Sequence, residues 1–205
     1  MRIIAGTAKG HTIKSLKGLA TRPTPERVRE AIFNILGVKI INARFLDLFA
    51  GSGAVGLEAL SRGAAYCCFN DKNKAVCRII KENLTKCAFE QSALVYNKDV
   101  FAFISDFTKK NVISFDIIYA DPPYKVDFYD LLLQKLVEAE FLADEGIIIM
   151  ETDKRTFLQE QYFSGRKEGA VLKLFKKSKY GDTVIWFYKL WGRNKSGNHA
   201  FVGRI

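Results

Sequence analysis

Two short stretches of the chain hold residue types whose spacing could do chemistry. The first is Asp47-Leu48-Phe49-Ala50-Gly51-Ser52-Gly53-Ala54-Val55-Gly56, a full G-x-G-x-x-G turn with a carboxylate just ahead of it. Glycines at such positions let backbone approach a ligand closely. The spacing alone is shared with dinucleotide-binding folds. Asp47 separates the two cases: it would repel a pyrophosphate, whereas S-adenosylmethionine carries an ammonium and a sulfonium and no phosphate. Asp47, Ala50, Gly51, Ser52 and Gly53 are therefore candidate cofactor-binding residues. Asp71, 20 residues beyond Gly51, is placed for the ribose hydroxyls, with Asn73 a nearby alternative. Asp99 could accept a bond from the adenine amine or cap the helix that follows it.

The second stretch is Asp121-Pro122-Pro123-Tyr124. Two prolines fix an extended turn that has no N–H of its own. The Asp121 carboxylate and the Pro122 carbonyl then form a two-point acceptor for one NH₂ group, with Tyr124 as a flat face for a base. A base amine is a poor nucleophile because its lone pair is delocalised into the ring. Two acceptors that hold its hydrogens aim the lone pair at a methyl donor and stabilise the charge that grows on nitrogen. Asp121, Pro122, Pro123 and Tyr124 are the candidate catalytic residues, and the base must be flipped out or already unpaired.

Both motifs need strand ends to carry them. From residue 44 short apolar runs alternate with helical segments. Strands are predicted at Arg44–Phe49, Tyr66–Asn70, Ala93–Asn97, Phe115–Ala120 and Gly146–Glu151. Helices are predicted at Val55–Arg62, Asn73–Lys86, Val100–Phe107 and Phe128–Glu140. Gly169–Phe175 and Thr183–Leu190 then read as a hairpin. The fold class is thus α/β, a Rossmann-like, mostly parallel sheet of seven strands with an antiparallel last strand, the class I methyltransferase layout. Ahead of it, Arg2–Ala5 and His11–Lys14 suggest a small β-hairpin, and Pro25 opens a helix to Leu36 with Thr24 as N-cap. The expected organisation is an extension over 1–40, a catalytic domain over 41–190 and a loose tail over 191–205.

The net charge of +10 is uneven. Residues 1–30 carry +5 and residues 166–205 carry +8, which leaves the middle at −3. Basic ends on a mildly acidic body suit a polyanion partner. Arg2, Lys9, Lys14, Lys17, Arg22, Arg27, Arg29, Lys173, Lys176, Lys177 and Lys179 are the candidate phosphate contacts. Cys67, Cys68, Cys77 and Cys87 form no C-x-x-C pair, so no metal site is expected. No apolar run reaches transmembrane length and no signal peptide is evident, so a soluble, cytoplasmic monomer is expected.

The sequence resembles the bacterial 16S ribosomal RNA guanine-N2 methyltransferase family, RsmD in common usage, over roughly residues 2–190. Arg2-Ile3-Ile4-Ala5-Gly6 with Lys9-Gly10 carries part of the resemblance, and Arg22-Pro23-Thr24-Pro25-Glu26-Arg27-Val28-Arg29-Glu30 with Phe33-Asn34 is its most specific part. Leu46–Gly53, Gly56-Leu57-Glu58-Ala59-Leu60-Ser61-Arg62-Gly63 and Asp121–Tyr124 complete it. The resemblance implies methylation of a guanine N2 amine in small-subunit RNA, with a partly assembled particle as substrate. It also implies that Thr24, Arg29 and Asn34 lie near the methionine end of the cofactor or the RNA entry. The alternative is a DNA adenine or cytosine amino methyltransferase. Such an enzyme needs a larger groove-reading region than about 40 N-terminal residues provide.

Overall fold

The predicted strands join into one sheet in the computed structural model of the chain, which describes residues 1–16, 24–110, 113–123, 126–139, 141–165 and 169–192. In chain order the elements are α1 (Glu26–Leu36), β1 (Arg44–Asp47), α2 (Ala54–Ser61), β2 (Tyr66–Asn70) and α3 (Lys74–Lys86). They continue with β3 (Ala93–Tyr96), α4 (Val100–Lys110), β4 (Phe115–Ala120), α5 (Val126–Glu138) and β5 (Leu142–Asp153). The last three are β6 (Gln161–Phe163), β7 (Val171–Tyr180) and β8 (Thr183–Trp191). The sheet order is β3-β2-β1-β4-β5-β8-β7-β6. The first five strands pair in parallel, and β8, β7 and β6 pair antiparallel.

Helices cover both faces because the central strands are apolar on both. Phe45, Ile117 and Ile149 meet α1, α2 and α3, whereas Leu46, Ile118 and Ile148 meet α4 and α5. The strand order reverses between β1 and β4. Crevices for ligands in open α/β sheets lie at such a point, outside the carboxyl ends of the strands.

Several element ends shift, with β5 starting at Leu142 rather than Gly146, β7 running to Tyr180 rather than Phe175 and α4 to Lys110 rather than Phe107, and the sequence reading departs further in three places. An eighth strand, β6, extends the sheet beyond the expected seven. It is three residues long with only Tyr162 buried, too short to show a period. Thr24 does not cap α1. Pro25 occupies that position without a side-chain bond, and Thr24 turns to the strand ends. The predicted N-terminal hairpin forms in shortened form: beside the Arg2–Thr12 bridge, the Ile3, Gly10 and Ile13 N–H groups donate to the His11, Ile3 and Met1 carbonyls. A ladder cannot extend because the Ile4 and Ala5 N–H groups donate to the Glu58 carboxylate at 2.8 and 3.0 Å.

Glu58 is fully buried on α2 and also accepts from Arg62 at 2.7 Å. Ser61 of the same helix donates to the Ala5 carbonyl and accepts from the Ala8 N–H. Gly6 presses so closely on the Ser61 carbonyl that no side chain fits there. Ile3, Ala8 and Ile13 then join the core beneath α1 and α2. The extension is welded to the sheet by buried polar bonds as well as apolar contact. Replacing Glu58 with Ala should lower the unfolding free energy by about 3 kcal/mol, because two N–H groups and an arginine lose a buried partner. Urea unfolding would measure it, and amide exchange should quicken first at Ile4 and Ala5.

Candidate active site

A cavity of about 500 Å³ opens at the reversal between β1 and β4. The glycine turn forms its floor. Gly51 and Gly53 have φ of 52° and 79°, in the left-handed region. Gly56 lies against the Phe69 ring and the Cys67 sulfur, with no space for a Cβ. The Gly56 N–H donates to Asp47 Oδ2 at 3.1 Å. That fixes the carboxylate over the turn and leaves Oδ1 buried, with no partner among the described residues. Burial pushes the Asp47 pKa up to about 7, the Gly56 N–H opposing the shift. A carboxylate oxygen buried in this way lacks a cation or donor.

Asp71 sits at the end of β2 and lines the cavity. Its Oδ2 accepts from the Gly51 N–H at 3.1 Å and its Oδ1 from the Asn73 N–H at 2.8 Å. Asp71 therefore shapes the glycine turn as well as facing the cavity. Asn73 caps α3 through the Ala75 N–H. Asp99 caps α4 and also reaches the cavity lining. Its Oδ1 accepts from Phe101 and Ala102 at the start of α4. Ala50, Gly51 and Ser52 line it too. Asn70 was missed: its amide bonds the Leu48 and Lys98 carbonyls, and its buried Oδ1 has no described partner. Asn83 was missed as well. It bonds Lys14 through both its oxygen and its nitrogen and also the Ser52 carbonyl, which ties the extension to the glycine loop.

Strand alternation sets the opposite wall. Asp47 pairs in register with Tyr119, and Tyr119 with Ile149, so Asp47, Tyr119 and Glu151 share the face beneath the extension. Tyr119 donates to Glu151 Oε2 at 2.5 Å, Thr24 donates to the same oxygen at 3.2 Å, and the two hydroxyls are 3.1 Å apart. Asp121 follows on β4. Burial pushes its pKa well up, reinforced by the Glu151 and Asp47 charges. Burial also raises Glu151, against the bonds from Tyr119 and Thr24. Pro123 lines the cavity and Pro122 is buried behind it. The Pro122 carbonyl accepts from the Tyr129 hydroxyl at 3.2 Å, so one of its two lone pairs is already taken. Tyr124 lies outside the described residues, as do Lys17 and Arg22.

The basic residues do not form one patch. Arg29 is fully buried, which overturns its assignment as a phosphate contact. Its guanidinium bonds the Arg2 carbonyl at 2.7 Å and the Thr24 carbonyl at 3.3 Å, and burial lowers its pKa. It clamps the two ends of the extension and so holds Thr24 at the cavity. Arg27 is exposed, its guanidinium against Gly181 of the β7–β8 turn. Asn34 is exposed on α1, away from the cavity lining. Arg2 pairs with Glu26 and Lys14 with Glu82, and Lys9 is exposed. In β7 a bulge between Leu174 and Lys176 shifts the register. Lys173 and Lys176, opposite Lys189 and Phe187, share the face of the extension. Lys177 and Lys179, opposite Trp186 and Val184, point to the other face, where Lys177 lies 3.8 Å over the Trp186 ring.

These acceptors fit S-adenosylmethionine: the unpartnered Asp47 oxygen suits its ammonium, and Asp71 and Asp99 suit its ribose and adenine. This sheet order, with a glycine turn after β1 and an acid at the end of β2, defines a class I methyltransferase fold. Over residues 1–189 the chain matches the family described as Conserved hypothetical protein 95, and it belongs to that family, the RsmD family. It is 36% identical over 192 residues to "Putative rRNA methyltransferase YlbH" of Bacillus subtilis, covering 94% of this chain and 100% of that one. It is 36% identical over 158 residues to "Ribosomal RNA small subunit methyltransferase D" of Haemophilus influenzae, covering 75% of this chain and 79% of that one. Among solved structures, "Putative methyltransferase yhhF" from Escherichia coli superposes with a TM-score of 0.76 at 29% identity, over 92% of this chain and 97% of that one.

The raised pKa of Asp47 makes two measurements depend on pH. The unfolded carboxyl ionises near about 4, but the folded one holds its proton up to about 7. Between those values the folded state binds the extra proton, so the ligand-free chain should lose stability as pH rises through that window. A cationic ligand favours ionised Asp47. S-adenosylhomocysteine should therefore bind more tightly as pH rises from 6 to 7.5, with a proton released on binding. Asp47→Asn should flatten that dependence and weaken binding at pH 8 by about 1.5–3 kcal/mol. Calorimetry in two buffers of different ionisation enthalpy would show both effects.

Proposed function

We propose that the chain transfers a methyl group from S-adenosylmethionine to the N2 amine of a guanine in 16S ribosomal RNA, with a small-subunit assembly particle as substrate. The observation that carries the reading is that the Asp121 acceptor and Asp47, with its unpartnered buried oxygen, line one cavity. Membership of the RsmD family and a relative named for the small ribosomal subunit support the substrate.

The cofactor, when bound, supplies an electrophilic methyl on sulfur. The chain supplies position and charge. Asp47 and the glycine turn hold the methionine end, and Asp71 holds the ribose. Asp121 and the remaining lone pair of the Pro122 carbonyl take the hydrogens of the base amine. Held in this way, the amine would direct its lone pair at the methyl that the bound cofactor would supply, with the sulfur as leaving group. The extra proton on nitrogen passes to the Asp121 carboxylate.

The RNA phosphates are assigned to the face that carries the extension, on the side where Lys9, Arg27, Lys173 and Lys176 are exposed. No helix among the described residues is long and apolar enough to cross a membrane.

Labelled cofactor with small-subunit particles that lack the modification, followed by nucleoside analysis, should yield N2-methylguanine. Asp121→Ala should abolish transfer and leave S-adenosylhomocysteine affinity within about threefold, since its bonds strengthen in the transition state. Transfer to another nucleoside would overturn the reading.

A second test concerns the face. Lys173→Ala with Lys176→Ala should reduce the salt slope of RNA binding by about 1–2 units, a little under one per phosphate lost. Lys177→Ala with Lys179→Ala should change it by less than half as much. Equal slopes for the two pairs would place the RNA elsewhere.

A further inference from the structure

The groups around Asp121 contain more information than the transfer itself requires. Thr24 and Tyr119 both line the cavity, and Glu151 stands behind them on β5. Their hydroxyls reach the same carboxylate oxygen, at 3.2 Å from Thr24 and 2.5 Å from Tyr119. A hydroxyl has one hydrogen and two lone pairs, and an ionised carboxylate only accepts. The two hydroxyls also lie 3.1 Å apart, so both hydrogens are used within the Thr24–Tyr119–Glu151 cluster. What the two oxygens can offer the cavity is lone pairs alone. The wall beside the amine site accepts and does not donate.

The three nucleobases with exocyclic amines differ at the ring nitrogen beside the amine. In adenine it is N1 and in cytosine N3, each an acceptor. Guanine's 2-amino group is flanked by two, N1–H, a donor, and N3, an acceptor. An acceptor-only wall repels the first two and bonds the third. With its amine held by Asp121, guanine alone of the three can turn a ring N–H toward Thr24 and Tyr119, which line the same cavity.

We propose that Thr24, Tyr119 and Glu151 form the base-reading wall of the site: Glu151 keeps both hydroxyl hydrogens within the cluster and away from the cavity, and the Thr24 and Tyr119 oxygens accept the N1–H of a guanine whose 2-amino group is held by Asp121. This rests on the amine-methylating reading above and deepens it from an amine to a particular base. Glu151 is a positioning residue, since it acts through the two hydroxyls. Tyr119 and Thr24 touch the base. The alternation of β4 and β5 places all of these groups on one face, and Arg29 holds the Thr24 carbonyl so that its side chain reaches the wall.

The test uses particles reconstituted with RNA whose target carries guanine or 2-aminopurine. The analogue keeps the 2-amino group but has a bare acceptor at N1. Wild type should prefer guanine by on the order of a hundredfold in single-turnover rate over half-saturation, since a site built to bond an N–H rejects a base that lacks it. Tyr119→Phe removes one wall acceptor, so guanine should slow by about tenfold or more while 2-aminopurine changes little. Glu151→Met, of similar volume, frees the hydroxyl hydrogens to turn inward as donors. It should raise 2-aminopurine transfer relative to guanine by about tenfold or more. Melting temperature and S-adenosylhomocysteine affinity, measured on each variant, confirm that the fold and cofactor floor are intact. Tyr119→Phe tests the wall even where Glu151→Met destabilises the chain. Equal losses on both bases, with the ratio unchanged, would overturn the wall and leave the methylation reading standing. Wild-type transfer to an adenine or cytosine amine in place of guanine would overturn both.

Discussion

The site is organised by negative charge that the fold leaves without a cation. Asp47, Asp121 and Glu151 stand on neighbouring strand ends, and burial raises the pKa of each. Burying carboxylates together is costly unless hydrogen bonds or positive partners compensate them. Backbone N–H groups and hydroxyls satisfy part of two of them, through Gly56 for Asp47 and through Thr24 and Tyr119 for Glu151. What remains is a basin that favours positive and donor-rich ligands. A sulfonium amino acid and a base amine both answer that description, and a pyrophosphate does not. The same charges that stabilise a developing ammonium make the empty site the least comfortable part of the fold.

That discomfort is tolerable because the rest of the scaffold is stiff. The extension supplies one side of the cavity through Leu16 and Thr24. Those residues are ordered by bonds made well away from it: Glu58 and Ser61 grip residues 4–8, Asn83 grips Lys14, and Arg29 joins residue 2 to residue 24. Asn83 and Ser52 also connect the extension to the glycine turn. Cofactor floor and base wall are thus set by one network of buried polar groups, and displacement of the extension would shift both at once.

Much of this was legible in the sequence. Tyr66–Asn70 and Phe115–Ala120 were bounded correctly, because turn and charged residues flank strongly apolar runs. The glycine turn and the Asp-Pro-Pro segment declare themselves through backbone constraint, which spacing reveals directly. The losses have physical reasons. Arg29 reads as surface charge because arginine is rarely buried. Only the three-dimensional fold brings the Arg2 and Thr24 carbonyls to it. Tyr119 and Glu151 lie inside apolar strands where a tyrosine or an acid attracts no notice. A stricter reading of alternation would have found them, since residues 117, 119 and 121 share one face of β4 and residues 147, 149 and 151 one face of β5. The pattern Asp47, Tyr119, Glu151 was in reach, but the pairing of β5 beside β4 was the step that joined it.

The lysines of β7 show how one local irregularity redirects a global feature. Counted along the sequence, Lys173, Lys176, Lys177 and Lys179 are a single basic run, and a regular strand would set Lys173, Lys177 and Lys179 on one face with Lys176 alone on the other. The bulge at Leu174–Lys176 inserts one residue and inverts the parity after it. Lys173 and Lys176 then share the extension's face, in line with Arg27 at the β7–β8 turn. Lys177 instead packs over Trp186 and Phe157, where it shields aromatic surface near the sheet edge. The bulge thereby separates lysines that can follow a phosphate backbone from lysines that protect the sheet. Net charge in a segment says that a polyanion is welcome, and strand register decides from which side it can come.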